Sequence, residues 1–157
     1  MTTHSKEVTL NSGPFHIPTL NQGGFSTTRL VITIKNHSEH TLQADVTIDA
    51  CFPVTPQPEL STFNIPESNL AFFPRMDIPR HSCQVYQVPI VFDSRPFIKV
   101  ISRGDYEVID GRPAGGKLEI SVVAGGQALS GLFVSDASTF IPYGSWVVEE
   151  SKSDTDS

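Results

Sequence analysis

Cysteine, tryptophan and charge are scarce in this 157-residue chain, which carries two Cys, one Trp and a charged fraction of 18%. Two thiols are too few for a disulfide scaffold, and Cys51 and Cys83 lack the CxxC spacing that zinc or redox chemistry uses. No stretch approaches the roughly 18 consecutive apolar residues of a membrane-crossing helix. Lys and Arg form no cluster, and the net charge of −6 repels phosphate, so nucleic acid and anionic membranes are excluded as expected partners. The i, i+3, i+4, i+7 apolar spacing of an amphipathic helix is missing throughout, as is any repeat of fixed period. There is no G-x-S-x-G elbow, no HExxH, no P-loop and no GxGxxG. Paired carboxylates of a glycosidase need only be near in space, so motif reading alone leaves that class open. The expectation is a non-enzymatic chain with no cofactor and no metal.

What the chain does have is Ser, Thr, Gln, Gly and Pro, the residues that short strands and tight turns consume. A single domain of this size buries roughly 70% of the surface its unfolded chain exposes, enough for a real core. Alternation is the clearest signal. Leu30, Ile32 and Ile34 share one face of the segment Arg29 to Lys35, against Val31, Thr33 and Lys35 on the other. After the polar turn 36–41, Leu42, Ala44, Val46, Ile48, Ala50 and Phe52 share a face, against Gln43, Asp45, Thr47, Asp49 and Cys51. Two such strands joined by about six residues predict an antiparallel hairpin.

Pro53, Pro56 and Pro58 then predict a loop. Phe63-Asn-Ile65, Leu70-Ala-Phe-Phe73 and the pair Met76 and Ile78 read as separate short edge or corner strands, closed by Pro66, Pro74 and Pro79. Cys83 to Phe92 reads as a strand with Tyr86, Val88, Ile90 and Phe92 on one face and Pro89 at an edge or bulge. Phe97 to Ile101 is a further strand, continued by Tyr106 to Ile109 after a bend, and Asp110 to Gly116 is a flexible turn. Leu118, Ile120 and Val122 alternate in the next strand, which Gly125-Gly126 predicts to turn tightly into Leu129 to Val134. Thr139 to Ile141 and Trp146 to Val148 close the chain around a turn at Pro142-Tyr-Gly144. The sum is an all-β, antiparallel two-sheet sandwich, Greek-key or jelly-roll-like, of eight to eleven strands with little or no helix.

The domain proper is expected at 29–149. Residues 1–28 form an arm or edge strand in which Val8, Leu10, Phe15, Ile17 and Leu20 are apolar but interrupted by Pro and Gly. Such an arm either packs on its own domain or adds a strand to a neighbouring copy. Residues 150–157 are acidic, lack apolar groups and read as a disordered tail. Met1 to Leu10 shows no cationic stretch leading into an apolar run, so no export signal is expected and synthesis is placed in the cytoplasm.

Few residues suggest chemistry. His37, Glu39 and His40 could hold a divalent metal, but they lie on a predicted turn and a solvated turn is the stronger reading. His4, His16 and His81 are scattered. Arg103-Gly104-Asp105 spells a tripeptide that integrin-type receptors read, and Asn36-His-Ser38 fits the N-glycosylation pattern; a plain turn is the stronger reading of both. Tyr106, Tyr143 and Trp146 could stack on sugar rings, which makes a carbohydrate-binding module the alternative function, against the stronger reading that each packs in the core. Cys51 and Cys83 fall on the polar faces of their strands. They are either free surface thiols or partners in a crosslink, within the chain or between copies.

The runs Arg29 to Asn36, Val46 to Cys51, Ile78 to Cys83 with Tyr86 to Pro89, and Tyr106-Glu-Val108 together resemble a group of small, uncharacterised β-sandwich proteins of endospore-forming Firmicutes. The likeness spans Arg29 to Val148 and departs at the Pro-rich segment after Phe52 and the Gly-rich stretch 111–116. It implies a role at the spore surface or cell envelope; the apolar arm, or the sheet edges, would let the chain assemble there with copies of itself or with other surface proteins. A virion or phage appendage domain would share the same architecture.

Overall fold

A computed structural model describes residues 7–17, 27–52, 60–90, 96–127 and 133–149. Twelve strands run through them with no α-helix: β1 (Val8–Asn11), β2 (Phe15–His16), β3 (Arg29–Asn36), β4 (Leu42–Cys51), β5 (Ser68–Ile78), β6 (Cys83–Pro89), β7 (Phe97–Gly104), β8 (Glu107–Ile109), β9 (Arg112–Ala114), β10 (Leu118–Gln127), β11 (Phe133–Ser135) and β12 (Val147–Glu149). One sheet has the order β12-β1-β7-β4-β5, with β2 also on β7, and the other the order β11-β10-β3-β6. Every pairing is antiparallel. The two sheets face each other, so the chain is an all-β sandwich.

Alternation explains the layering. Leu30, Ile32 and Ile34 point inward from β3, Ala44, Val46, Ile48 and Ala50 from β4, Ile98 and Val100 from β7, and Leu118, Ile120 and Val122 from β10, all essentially free of solvent. Each fully buried aliphatic side chain contributes roughly 1.5–3 kcal/mol relative to an exposed one, and one inward face alone could not be covered.

The expected hairpin between β3 and β4 does not form. The two strands lie in different sheets, and residues 37–41 arch between the layers. Asn36 holds the arch: its side chain, fully buried, donates to the carbonyls of His40 (2.8 Å) and Ile78 (2.9 Å) and accepts from the Ser38 backbone and hydroxyl. The connection from β5 to β6 crosses layers too, through a turn in which His81 takes a positive φ.

The pieces expected around Pro74 are one eleven-residue strand, β5, on the edge of its sheet. Proline is tolerated because the pairing with β4 slips there: Ala44 faces Met76 and Val46 faces Phe73, so Pro74 and Arg75 together oppose Asp45 in a bulge. Residues 63–65 form no strand. Pro89 ends the edge strand β6, as its missing donor requires.

Gly125-Gly126 is no turn. Both residues continue β10, which pairs with β11 opposite Ser135 and Val134. The glycine is needed for close approach, since a Cβ at Gly125 would sit 2.2 Å from the Val134 carbonyl oxygen. Residues 129–132, expected to begin the returning strand, lie outside the described residues. Residues 110–116 are no open turn either. Asp110 (φ 53°) and Gly111 (φ 74°) form the two-residue turn of the β8–β9 hairpin, the two positive φ values of a type I′ turn. Tyr106 to Ile109 therefore does not extend β7.

Two single 3₁₀ turns, Ala137–Thr139 and Tyr143–Ser145, fold the end of the chain back over β10. Asp136 caps the first through Ser138, and the Thr139 hydroxyl receives the Ala124 amide at 2.8 Å. The arm is integral to the sandwich. β1 lies between β12 and β7, Leu10 and Ile17 are buried, and Val8 and Phe15 pack against the core. Leu20, Pro53, Pro56, Pro58, Phe92 and the tail 150–157 lie outside the described residues.

Candidate functional site

Most side chains that suggested chemistry are committed to the fold. His37, Glu39 and His40 do not converge: His37 pairs with Glu119 on β10, while Glu39 pairs with His81 at 2.9 Å. Among the described residues no three His, Cys, Asp or Glu side chains are placed to hold a metal. Asn36 spends both amide hydrogens on backbone carbonyls inside the molecule, which leaves the glycosylation pattern without an accessible acceptor.

Arg103 and Gly104 belong to β7 rather than to a bend. Arg103 pairs with Glu7 at 2.8 Å, and the Asp105 carboxylate accepts the Gln43 amide at 2.8 Å, so the tripeptide is stretched across a sheet end and bonded at both charges. Gly104 is required there because a Cβ would meet the Gln43 carbonyl oxygen at 2.4 Å.

The three ring-stacking candidates are core and girdle residues. Trp146 is 2% exposed and Tyr106 3%. The Tyr106 hydroxyl meets the Ser102 hydroxyl at 2.6 Å, and Ser102 in turn donates to the Asp45 carbonyl. Tyr143 is half-buried, lies 6.3 Å from Tyr106 ring to ring, and donates its hydroxyl proton to the Ala114 carbonyl at 2.9 Å. Burial raises the pKa of all three tyrosines. Tyr143 is pushed up to about 12, first by burial and then by the charges of Glu119 and Glu107. Tyr86 and Tyr106 are also raised chiefly by burial. The Tyr86 hydroxyl is buried without a hydrogen-bond partner, and its ring packs on Phe73 at 4.9 Å across the gap between the sheets.

Both cysteines are free. Cys83 begins β6 beside the arch end of the sandwich, whereas Cys51 ends β4, nine residues from Leu42 at that arch. At about 3.3 Å per residue they are roughly 30 Å apart along the layer, too far for a bridge within the chain.

Exposed apolar side chains are spread over the surface, Val147 on β12, Ile109 on β8 and Phe133 on β11 among them, and one group lies along the side of the sandwich where β5 edges one sheet and β6 the other. Phe72 is 59% exposed on β5, Met76 40%, and Val85 47% on β6. Ser68 to Phe73 is uncharged and free of proline, the composition of a segment that pairs with another strand. Charges flank it: Glu67 bonds Lys99 at 3.2 Å, Arg75 pairs with Glu7, and Asp77 accepts from Gln43 at 2.5 Å. The sequence signal for this edge was the uncharged run itself. Its position at the margin depends on pairings that are not local.

Comparison with protein-family models, with curated proteins and with solved structures gives no match to this chain. No helix among the described residues is long and apolar enough to cross a membrane.

Proposed function

We propose that this chain is a non-enzymatic structural module that assembles with copies of itself through its open sheet edges, of the kind that builds a spore surface or cell envelope. The observation that carries the reading is the long margin formed by β5, with Phe72 and Met76 held in solvent. An unpaired strand edge offers a row of backbone donors and acceptors, and apolar side chains beside it gain by being covered. Assembly runs through the edge rather than the arm, since β1 is already enclosed by β7 and β12. The location is suggested by the sequence resemblance of Arg29 to Val148 to uncharacterised β-sandwich proteins of endospore-forming Firmicutes. Carbohydrate stacking has lost its support, because Tyr106, Tyr143 and Trp146 serve the packing.

Light scattering on the full chain from micromolar to millimolar concentration tests the reading. A mass that rises with concentration is the expected result. A mass fixed at that of one chain throughout the range overturns it.

A further inference from the structure

We infer that β5 is the edge used, that its occupant is β5 of a second copy, and that the two strands run antiparallel about a two-fold axis through Ala71. This inference rests on the assembly reading above and names its contact. The other margins compare poorly. β11 and β12 have three residues each, and β6 has seven and ends in proline, against eleven in β5.

The charge pattern selects the axis. With the two-fold at Ala71, Glu67 of each copy faces the partner subunit's Arg75, and every residue between is uncharged. Both side chains keep access to solvent beside their internal partners, Glu67 at 47% and Arg75 at 39% exposed. Moving the axis to Phe72 would set Glu67 against Asp77, a like-charge contact. Moving it to Leu70 would set Glu67 against Phe73. An axis at Met76 matches Arg75 with Asp77 but pairs only residues 74–78, across Pro74. Opposite charges directly across a strand pair stabilise it and like charges destabilise it, so Ala71 is the favoured centre. Strand pairing about this axis spans Asn69 to Phe73, and Glu67 and Arg75 meet just beyond its two ends, where the bulge at Pro74 and Arg75 stops the ladder. The product is a closed dimer in which two six-strand layers become one continuous sheet.

Sedimentation velocity on the full chain tests this with wild type, Glu67→Arg, Arg75→Glu and the double swap. Each single change makes two symmetric contacts like-charged and is expected to weaken the dimer roughly tenfold or more, while the double swap restores it to within about threefold. Arg75→Glu also loses the Glu7 pair, but the double swap shares that loss, so regained dimer reports the contact and not the fold. Should Arg75→Glu fail to fold, Glu67→Arg carries the test beside Glu67→Gln, which loses the Lys99 pair without setting like charges across the contact. A wild-type dimer insensitive to the single changes, or a folded double swap as weak as they are, overturns the β5 contact and leaves assembly standing. A wild type that stays monomeric overturns both.

Discussion

The side-chain amide of Asn36, at the end of β3, donates a 2.9 Å hydrogen bond to the carbonyl of Ile78, the last residue of β5 in the opposite sheet. One buried side chain thus ties the two layers at the point where the chain arches between them. Asn36→Ala leaves the Ile78 and His40 carbonyls without that donor and is expected to cost about 2–3 kcal/mol. Asn36→Asp is expected to cost at least as much at neutral pH, because a carboxylate faces the carbonyls, and less in acid, where the carboxyl regains a donor. Urea unfolding would read both; an unchanged midpoint for Asn36→Ala would contradict the role.

Three glycines separate close packing from backbone conformation. Gly104→Ala drives a Cβ into the Gln43 carbonyl and is expected to cost about 2–3 kcal/mol. Gly111→Ala has open space but a φ of +74°, and should cost about 1 kcal/mol. Gly144→Ala meets neither obstacle and should stay within about 0.5 kcal/mol of wild type. Thermal melts that failed to rank the three in this order would count against the packing described.

Alkaline pH should unfold the protein through its tyrosines. The chain has three, Tyr86, Tyr106 and Tyr143, and burial raises the pKa of each above the ordinary 10.0. The unfolded state therefore releases these protons first. The stability they contribute is intact below pH 10 and falls as pH climbs from 10 toward the folded values, about 12 for Tyr143. Phenolate absorbance should rise cooperatively with unfolding, with no phase near pH 10 in the native state. A single tyrosine titrating normally while the fold persists would contradict its burial.

The thiols should differ in reactivity and never join within a chain. Cys83 is exposed and Cys51 half-buried, so maleimide should label Cys83 first in the native protein. Under mild oxidant, non-reducing electrophoresis should show crosslinks between copies or none. A compact, fast-migrating monomer would contradict the placement at opposite ends of the sandwich.

Alternation was legible because burial of one face leaves a period of two in the residues themselves. Leu30, Ile32 and Ile34, and Ala44 to Ala50, were assigned to the buried side on that basis. Which strand pairs with which was not legible, since a polar loop of five residues serves a hairpin and an inter-sheet arch equally well. The discriminating signal was Asn36, a polar residue at the inward parity of β3 that needs internal partners. Gly125 was misassigned because close approach and turn formation both select glycine. The aromatic residues pack in the core and girdle, as their stronger reading has it; the carbohydrate alternative arose because Trp146 and Tyr106 carry polar atoms that hydrogen bonds inside the fold satisfy, and residue type alone does not separate that from ligand contact. The β5 margin was readable as an uncharged run, but its edge position follows from the whole topology.

Backbone amide exchange along Ser68 to Phe73, followed as protein concentration is raised, probes the edge most directly. If a second copy pairs with β5, these amides gain protection with concentration while those of the enclosed strand β1 keep the same rates. Exchange at Ser68 to Phe73 that does not change between dilute and concentrated protein would contradict the pairing.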